Sequence, residues 1–124
     1  HPNSLKGAPF FENFKINLND ITEPSTIFEG TASEAVRLFP KNINVSALLS
    51  LVGLGSHETI VKIIVDPNTT KNTHMIISSG KFGKISTIVE NTPDENNPRT
   101  SRLAILSAIE TLRSICTNEI RIGT

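Results

Sequence analysis

The sequence predicts an α+β fold, an α/β two-layer arrangement in which helices cover one face of a mostly antiparallel or mixed sheet. Three observations predict it. Two segments with helical periodicity, residues 31–39 and 45–52, follow one short strand-like run. Three further strand-like runs come next, at residues 59–65, 72–79 and 82–90, with short polar links between them. Links of this length favour antiparallel pairing, and a sheet with an apolar face needs helices to cover it.

Length and composition set limits on the function. The chain has 124 residues, 37% of them hydrophobic, which predicts one domain over residues 1–124 with its own core. Twelve basic and twelve acidic residues cancel, so neither nucleic acid nor a membrane is an expected partner. The single Cys116 excludes an internal disulfide and every cysteine-based metal framework. We expect Cys116 to be a buried small hydrophobe in a reducing, cytoplasmic setting.

The N-terminal part is polar and rich in turn residues. Glycine and proline disfavour a helix in residues 1–21, and residues 4–8 could pair as an edge strand. Three phenylalanines in this segment are expected to pack onto the domain. Residues 25–29 then have the composition of a strand.

Two helices are predicted after that strand. Thr31 and Glu34 have the spacing of a capping box, and apolar residues at helical spacing follow until a proline ends the helix. The second helix begins within residues 42–44, continues as an apolar stripe to Val52 and ends at one of the glycines that follow. A helix this apolar is expected to be buried against the sheet.

The strand-like runs that follow predict a hairpin whose type II′ turn has Gly80 and Lys81 at its centre. Alternation along its first arm places His74 and Ile76 on one face and Met75 on the other. The histidine therefore lies near the start of a strand, directly after a polar crossing.

A last helix and a last strand complete the predicted order. The helix begins near Pro98 or Thr100, and its apolar residues between 103 and 116 are expected to form a core stripe. Residues 119–122 alternate as a short strand. The second sheet face is expected to be only half covered. Apolar residues exposed there would favour a second subunit, and the candidates are Ile76, Phe82 and Ile88.

Two polar stretches contain the candidate site residues, and we expect them to face one cleft. His74 could act as a general acid or base, although a lone histidine is more often structural. Lys41, Asn42 and Asn44 lie at the start of the second helix, where free N–H groups favour a bound carboxylate or phosphate. The alternative is that one of these asparagines only caps the helix. Asn72 could orient the histidine or bind a substrate.

Other kinds of site are not predicted. The three histidines lack the spacing of metal ligands, so we expect no metal site. No glycine-rich phosphate loop is present in the sequence, so the chain is expected to carry no nucleotide fold of its own.

The motifs, taken in order, resemble a known family. They are residues 39–45, residues 66–74, the Phe82-Gly83 pair and residues 98–101, with the interval between Asn44 and His74 preserved. With these motifs the chain resembles the C-terminal catalytic domain of L-aspartate dehydrogenase, a two-domain dehydrogenase. The likeness runs from about residue 4 to Cys116.

The resemblance implies a function and roles for the candidates. It implies oxidation of L-aspartate to iminoaspartate and oxaloacetate with NAD or NADP, linked to NAD biosynthesis. The family's active-site histidine falls on His74, and its cofactor-contacting asparagine falls on Asn44. Because the substrate carboxylates need hydrogen-bond donors, Lys41, Asn42 and Asn72 are the predicted substrate-binding residues.

The resemblance also implies what lies outside this chain. The cofactor is expected to bind mainly to an N-terminal Rossmann domain, so this chain alone is expected to be inactive. A homodimer through the sheet face is expected. The family commonly has a charged or polar residue after its histidine, where this chain has Met75. Two alternatives stay open: a related dehydrogenase of another small amino or hydroxy acid, and a non-catalytic module for oligomerisation or ligand binding.

Overall fold

The computed structural model describes residues 2–92 and 101–117. The chain divides into two compact units, His1–Thr69 and Thr70–Thr124. Helices and antiparallel strands confirm the predicted α+β class. Instead of one sheet, the described strands form two sheets of two strands each. The single catalytic domain over residues 1–124 stays a prediction.

The first unit consists of short helices around a two-stranded antiparallel sheet. Its elements, in order, are a 3₁₀ turn (Pro2–Leu5), α1 (Phe10–Asn13), a second 3₁₀ turn (Leu18–Asp20), β1 (Ser25–Thr31), α2 (Ala32–Leu38), α3 (Asn44–Val52) and β2 (Ile60–Val65). The edge strand predicted for residues 4–8 is wrong, and so is the expectation that glycine and proline keep helix out of residues 1–21, because a 3₁₀ turn and α1 form in this region. Proline explains the difference, since its fixed φ suits the start of a helical turn: Pro9 immediately precedes α1 with φ of −54°.

The predicted capping box at the start of α2 is confirmed. The Glu34 backbone N–H donates to Thr31 Oγ1 at 3.3 Å, and the Thr31 backbone N–H donates to Glu34 Oε2 at 2.8 Å. The backbone and side-chain hydrogen bonds from Thr31 lower the pKa of Glu34. A lowered pKa means that the ionised form stabilises the folded state, so this contribution is present at neutral pH and is lost as the pH falls through that pKa.

Aromatic packing forms the centre of the first unit. Phe39, which follows α2, is fully buried with 0% exposure. Its ring stacks on Phe10 at 4.9 Å between centroids and meets Phe28 edge-on at 5.5 Å. The predicted packing of the N-terminal phenylalanines is therefore confirmed for Phe10, and Phe14 stacks on it at 4.5 Å from a half-exposed position. This cluster fixes the point where the chain turns towards α3.

The expectation that α3 is buried is wrong for most of its apolar stripe. Leu48, Leu51 and Val52 are exposed, with Leu51 at 83%. Ile43, just before the helix, and Ser50 are its buried contacts. Periodicity indicates that a helix has an apolar face, but it does not indicate which surface covers that face.

The second unit contains a β-hairpin and a helix. Its elements are β3 (Asn72–Gly80), β4 (Gly83–Asn91) and α4 (Arg102–Thr117). Gly80 pairs with Gly83, so Lys81 and Phe82 are the central turn residues, and the predicted centre at Gly80 and Lys81 is wrong by one position. Gly83 has φ of +115°, a conformation that glycine adopts without strain. The second glycine of the turn therefore fixes the register.

The two faces of the hairpin differ in exposure near its open end, although both are exposed towards the turn. His74 and Ile76 are half-buried on one face, whereas Met75, Ile77 and Ile88 are exposed on the other. Of the three apolar residues expected to be exposed, Phe82 and Ile88 are confirmed, whereas the expectation is wrong for Ile76, which is half-buried on the face of His74.

The apolar stripe of α4 is exposed, so its predicted place in the core is wrong for the side chains that the structure describes. These side chains are Leu103, Leu106, Ile109, Leu112 and Ile115. The side chain of Cys116, the proposed helix start at Pro98 or Thr100 and the strand predicted at residues 119–122 lie outside the described residues. Within the described ranges, no helix is both long and apolar enough to cross a membrane.

Candidate active site

The predicted site residues lie in both units. Lys41, Asn42 and Asn44 belong to the first unit, and Asn72 and His74 belong to the second. Each group is brought together locally, the first around one helix start and the second on one face of a strand. The cleft predicted to be shared by the two groups stays a prediction.

The start of α3 is not capped by an asparagine. Asn44 is the first residue of the helix, and Ile43 in the preceding position makes no side-chain capping bond. Asn42 donates from Nδ2 to the Ser4 carbonyl oxygen at 2.9 Å, a bond that ties this turn to the N-terminal segment. The alternative in which Asn42 or Asn44 caps the helix is therefore wrong. The N–H groups at this helix start receive no capping side chain, and such groups favour a negative ligand.

Lys41 and Asn44 present their polar groups to solvent at this helix start. Both residues are exposed. Lys41 forms no salt bridge with any described residue, and the Asn44 side chain forms no hydrogen bond within the same part of the chain. The buried Phe39 and Ile43 hold the backbone on either side of Lys41. The backbone at this helix start is therefore held by buried neighbours, while the Lys41 ammonium and the Asn44 carboxamide have no side-chain partner among the described residues.

His74 lies within a regular antiparallel ladder. It pairs with Val89 across the hairpin, and its side chain is half-buried on the same face as Asn72 and Ile76. Strand pairing holds the backbone of His74 in place, and side chains on paired strands are positioned better than side chains on loops. A half-buried imidazole in such a position is accessible to a small ligand and can accept or donate a proton.

The polar crossing before β3 is ordered by local contacts. The Asn68 backbone N–H donates to Asp66 Oδ1 at 2.8 Å and forms an Asx turn. Further on, Lys71 Nζ lies 3.0 Å from Glu90 Oε2 and joins the start of β3 to the end of β4. The contact between Lys71 and Glu90 therefore links the two strands at the open end of the hairpin that contains His74.

One polar residue of this region was missed by the sequence reasoning. Asn91 is the last residue of β4, lies directly opposite Asn72 and is only 9% exposed. Its Oδ1 accepts no hydrogen bond from any described residue. The sequence did not indicate it, because Asn91 pairs with Asn72 only if the turn is centred on Lys81 and Phe82, whereas the sequence favoured a centre at Gly80 and Lys81.

Other site types find no support in the described ranges. They contain no group of three or more histidine, cysteine or carboxylate side chains that could hold a metal ion. A shallow open groove in the first unit contains none of the predicted site residues. Its lining is Lys6, Gly7, Phe11, Ile16, Asn17, Leu18 and Asn19.

Comparison with known proteins identifies the family. The sequence profile described as "Aspartate dehydrogenase, C-terminal" matches residues 1–115 of the chain. The chain belongs to the aspartate dehydrogenase C-terminal family. The resemblance inferred from the ordered motifs is thereby confirmed at the level of the family.

Several curated relatives have the same name. The chain is 63% identical over 124 residues to an L-aspartate dehydrogenase of Nitrosopumilus maritimus, covering 100% of this chain and 46% of the relative. It is 50% identical over 123 residues to an L-aspartate dehydrogenase of Methanosarcina acetivorans (99% and 45%), and 48% identical over 120 residues to one of Methanocella arvoryzae (97% and 44%). The chain therefore spans less than half the length of these relatives.

Proposed function

We propose that this chain is the catalytic domain of an NAD(P)-dependent L-aspartate dehydrogenase. The observation that carries the proposal is the family match over residues 1–115, together with long relatives that are named L-aspartate dehydrogenase. The half-buried His74 on a paired strand supports it, because oxidation of an amine needs a group that takes up a proton. The proposed product is iminoaspartate, which hydrolyses to oxaloacetate and would feed NAD biosynthesis in the cytoplasm.

In this proposal His74 is the general base. The ammonium group of L-aspartate must lose a proton before a hydride can leave the adjacent carbon, since the carbon–nitrogen double bond forms from the nitrogen lone pair. His74 takes that proton from the amino nitrogen. Its fixed position on β3 supplies orientation as well as basicity, and a positioned general base contributes about 10²–10⁴-fold to a rate.

Asn44 is the proposed cofactor-contacting residue of this chain. Its exposed carboxamide, with no internal hydrogen bond among the described residues, fits a role in hydrogen bonding to a nicotinamide carboxamide. When bound, the nicotinamide ring supplies the acceptor for the hydride. Most of the cofactor would bind to a part of the protein outside this chain.

Lys41, Asn42 and Asn72 are the proposed partners of the two substrate carboxylates. Lys41 is exposed and forms no salt bridge with the described residues, and Asn72 presents an exposed carboxamide two residues before His74. The Asn42 side-chain amide donates one hydrogen bond to the Ser4 carbonyl oxygen, and its second N–H is the proposed donor to a ligand. Cations and amide donors of this kind form charge-assisted hydrogen bonds with carboxylates.

Steady-state kinetics of the protein made from its complete coding sequence test the proposed activity. We expect L-aspartate to support reduction of NAD or NADP with the highest kcat/KM in a panel containing L-glutamate, L-alanine and L-malate. Absorbance of the reduced nicotinamide is the measurement. A clear preference for L-malate or another amino acid would replace L-aspartate as the substrate, and reduction of neither cofactor would remove the dehydrogenase proposal.

The homodimer is proposed on the exposed apolar face of the hairpin. Met75, Ile77 and Ile88 lie together on this face and are all more than half exposed. We expect light scattering of the protein made from its complete coding sequence to give twice its chain mass. Ile77→Lys should shift the protein to monomer, because a lysine on an apolar interface is costly to bury. Ser78→Lys, on the opposite face, is the matched control, and a monomeric wild type would contradict the proposal.

A further inference from the structure

The carboxamide of Asn91 contains an unsatisfied buried acceptor. The residue is 9% exposed, and no described residue donates a hydrogen bond to its Oδ1. Buried polar atoms in native proteins nearly always have a partner, because leaving one without a hydrogen bond is costly. A ligand that carries a hydrogen-bond donor would satisfy this acceptor.

The hairpin register places Asn91 on the same face as the proposed base. Asn72 pairs with Asn91 and His74 pairs with Val89, and side chains on one face recur every second residue. Directly opposite side chains on an antiparallel pair have Cβ atoms about 4.5–5.5 Å apart, and diagonal neighbours are about 7–8 Å apart. Asn91 and His74 are diagonal neighbours on this face. One amino nitrogen can lie between their side chains at this spacing.

The chemistry of the proposed substrate selects the group that Asn91 binds. Ionised carboxylates only accept hydrogen bonds, so neither carboxylate of L-aspartate can satisfy an acceptor oxygen. The amino group is the donor of the molecule. We propose that Asn91 is a substrate-binding residue whose Oδ1 accepts a hydrogen bond from the amino group of L-aspartate. This inference rests on the proposed function.

The contact explains how an amine is distinguished from an alcohol. An ammonium group that gives one proton to His74 keeps two hydrogens. One of these can stay hydrogen-bonded to Asn91 Oδ1. An alcohol has a single hydrogen on its oxygen, so once that hydrogen goes to the base none is left for Asn91, and the buried acceptor stays unsatisfied. Sites that hydrogen-bond a substrate group reject analogues that lack it far more strongly than apolar pockets reject a change of size.

The same residue would hold ammonia in the reverse reaction. The full reaction is L-aspartate + NAD(P)⁺ + H₂O → oxaloacetate + NH₄⁺ + NAD(P)H + H⁺. In reverse, the nitrogen attacks the ketone carbon of oxaloacetate, water leaves, and the imine takes the hydride and a proton. Asn91 therefore accepts a hydrogen bond from the amino group of L-aspartate in the forward reaction and from ammonia in the reverse reaction. Its contribution is measured most directly by the KM for ammonium.

The test uses Asn91→Leu and Asn91→Asp in the protein made from its complete coding sequence. With oxaloacetate and reduced cofactor saturating, we expect Asn91→Leu to raise the KM for ammonium by about tenfold or more, and to leave the KM for the cofactor unchanged. Asn91→Asp keeps an oxygen in the same place and should stay within about threefold of wild type. Asn13→Leu makes the same change at an exposed position of α1 and should have no effect.

The outcomes separate the inference from the proposed function. An ammonium KM within about twofold of wild type in Asn91→Leu would overturn the inference, as would an Asn91→Asp variant impaired as much as the leucine variant. If Asn91→Leu does not fold, as judged by circular dichroism, Asn91→Ala removes the same oxygen and has the same expected result. A wild-type protein without aspartate-linked turnover would instead refute the proposed function itself.

Discussion

Replacing His74 with alanine is expected to lower kcat for L-aspartate by about 10²–10⁴-fold while the protein stays folded, because a positioned general base contributes that much to a rate. His74 is half-buried near the start of β3, and the ladder on either side does not depend on its side chain. Substrate binding by carboxylate contacts does not need the imidazole, so the KM for L-aspartate should change much less than kcat. Steady-state kinetics of the protein made from its complete coding sequence give both constants.

His57→Ala is the matched control for this prediction. His57 is exposed in the turn region between α3 and β2, and its removal should leave kcat unchanged. A thermal melt within a few degrees of wild type would show that the His74 variant is folded. If His74→Ala retained near-normal turnover in a folded protein, His74 would not be the base, and the roles of Asn72 and Asn91 would have to be argued without it.

Local signals in the sequence predicted the elements whose causes are local. The capping box at Thr31 and Glu34 needs only four residues to form, and the structure contains both of its bonds. The alternation around His74 and Met75 likewise depends only on the geometry of an extended chain, and it correctly predicted which side chains share a face. In these cases the residues that cause the structure are neighbours in the chain.

The burial of α3 and α4 was mispredicted because it depends on segments distant in sequence or on another molecule. The stripes of α3 and α4 are apolar in the sequence, yet Leu51 and Leu112 are exposed within the described residues. An apolar stripe indicates that a helix has an apolar face, but whether another segment or another molecule covers that face is a separate fact. The failed edge strand at residues 4–8 has a different cause, because prolines favoured helical turns over an extended conformation.

The turn of the hairpin shows how a small error hides a site residue. A turn centred on Gly80 and Lys81 would pair Asn72 with Val89 and leave Asn91 beyond the strand. The observed centre one position later moves the pairing by two residues and places Asn91 opposite Asn72. Both turns use glycine favourably, so composition alone did not decide between them. A shift of two residues leaves every side chain on its predicted face. It changes only which residue of β4 lies opposite Asn72.

The candidate site was predicted unevenly for a related reason. His74 and Asn44 were identified from the resemblance to the family, and local chemistry on its own left both with structural alternatives. For Asn44 the structure removes one alternative, since neither it nor Asn42 caps α3. Asn91 belongs to no short motif, and its distinguishing feature is a buried Oδ1 to which no described residue donates a hydrogen bond. Burial of a polar atom depends on the fold, so it is not readable from spacing.

Phe39→Ala is expected to be the most destabilising single substitution in the first unit, by about 3–5 kcal/mol. The ring is fully buried, stacks on Phe10 and meets Phe28 edge-on, so its removal loses apolar burial and opens a cavity among rings that cannot collapse freely. The free energy of unfolding of a small domain is only about 5–15 kcal/mol, so this loss is a large share of the stability. Urea denaturation measures it, with Phe14→Ala as the matched control from a half-exposed position. Equal losses in the two variants would contradict the central role of Phe39.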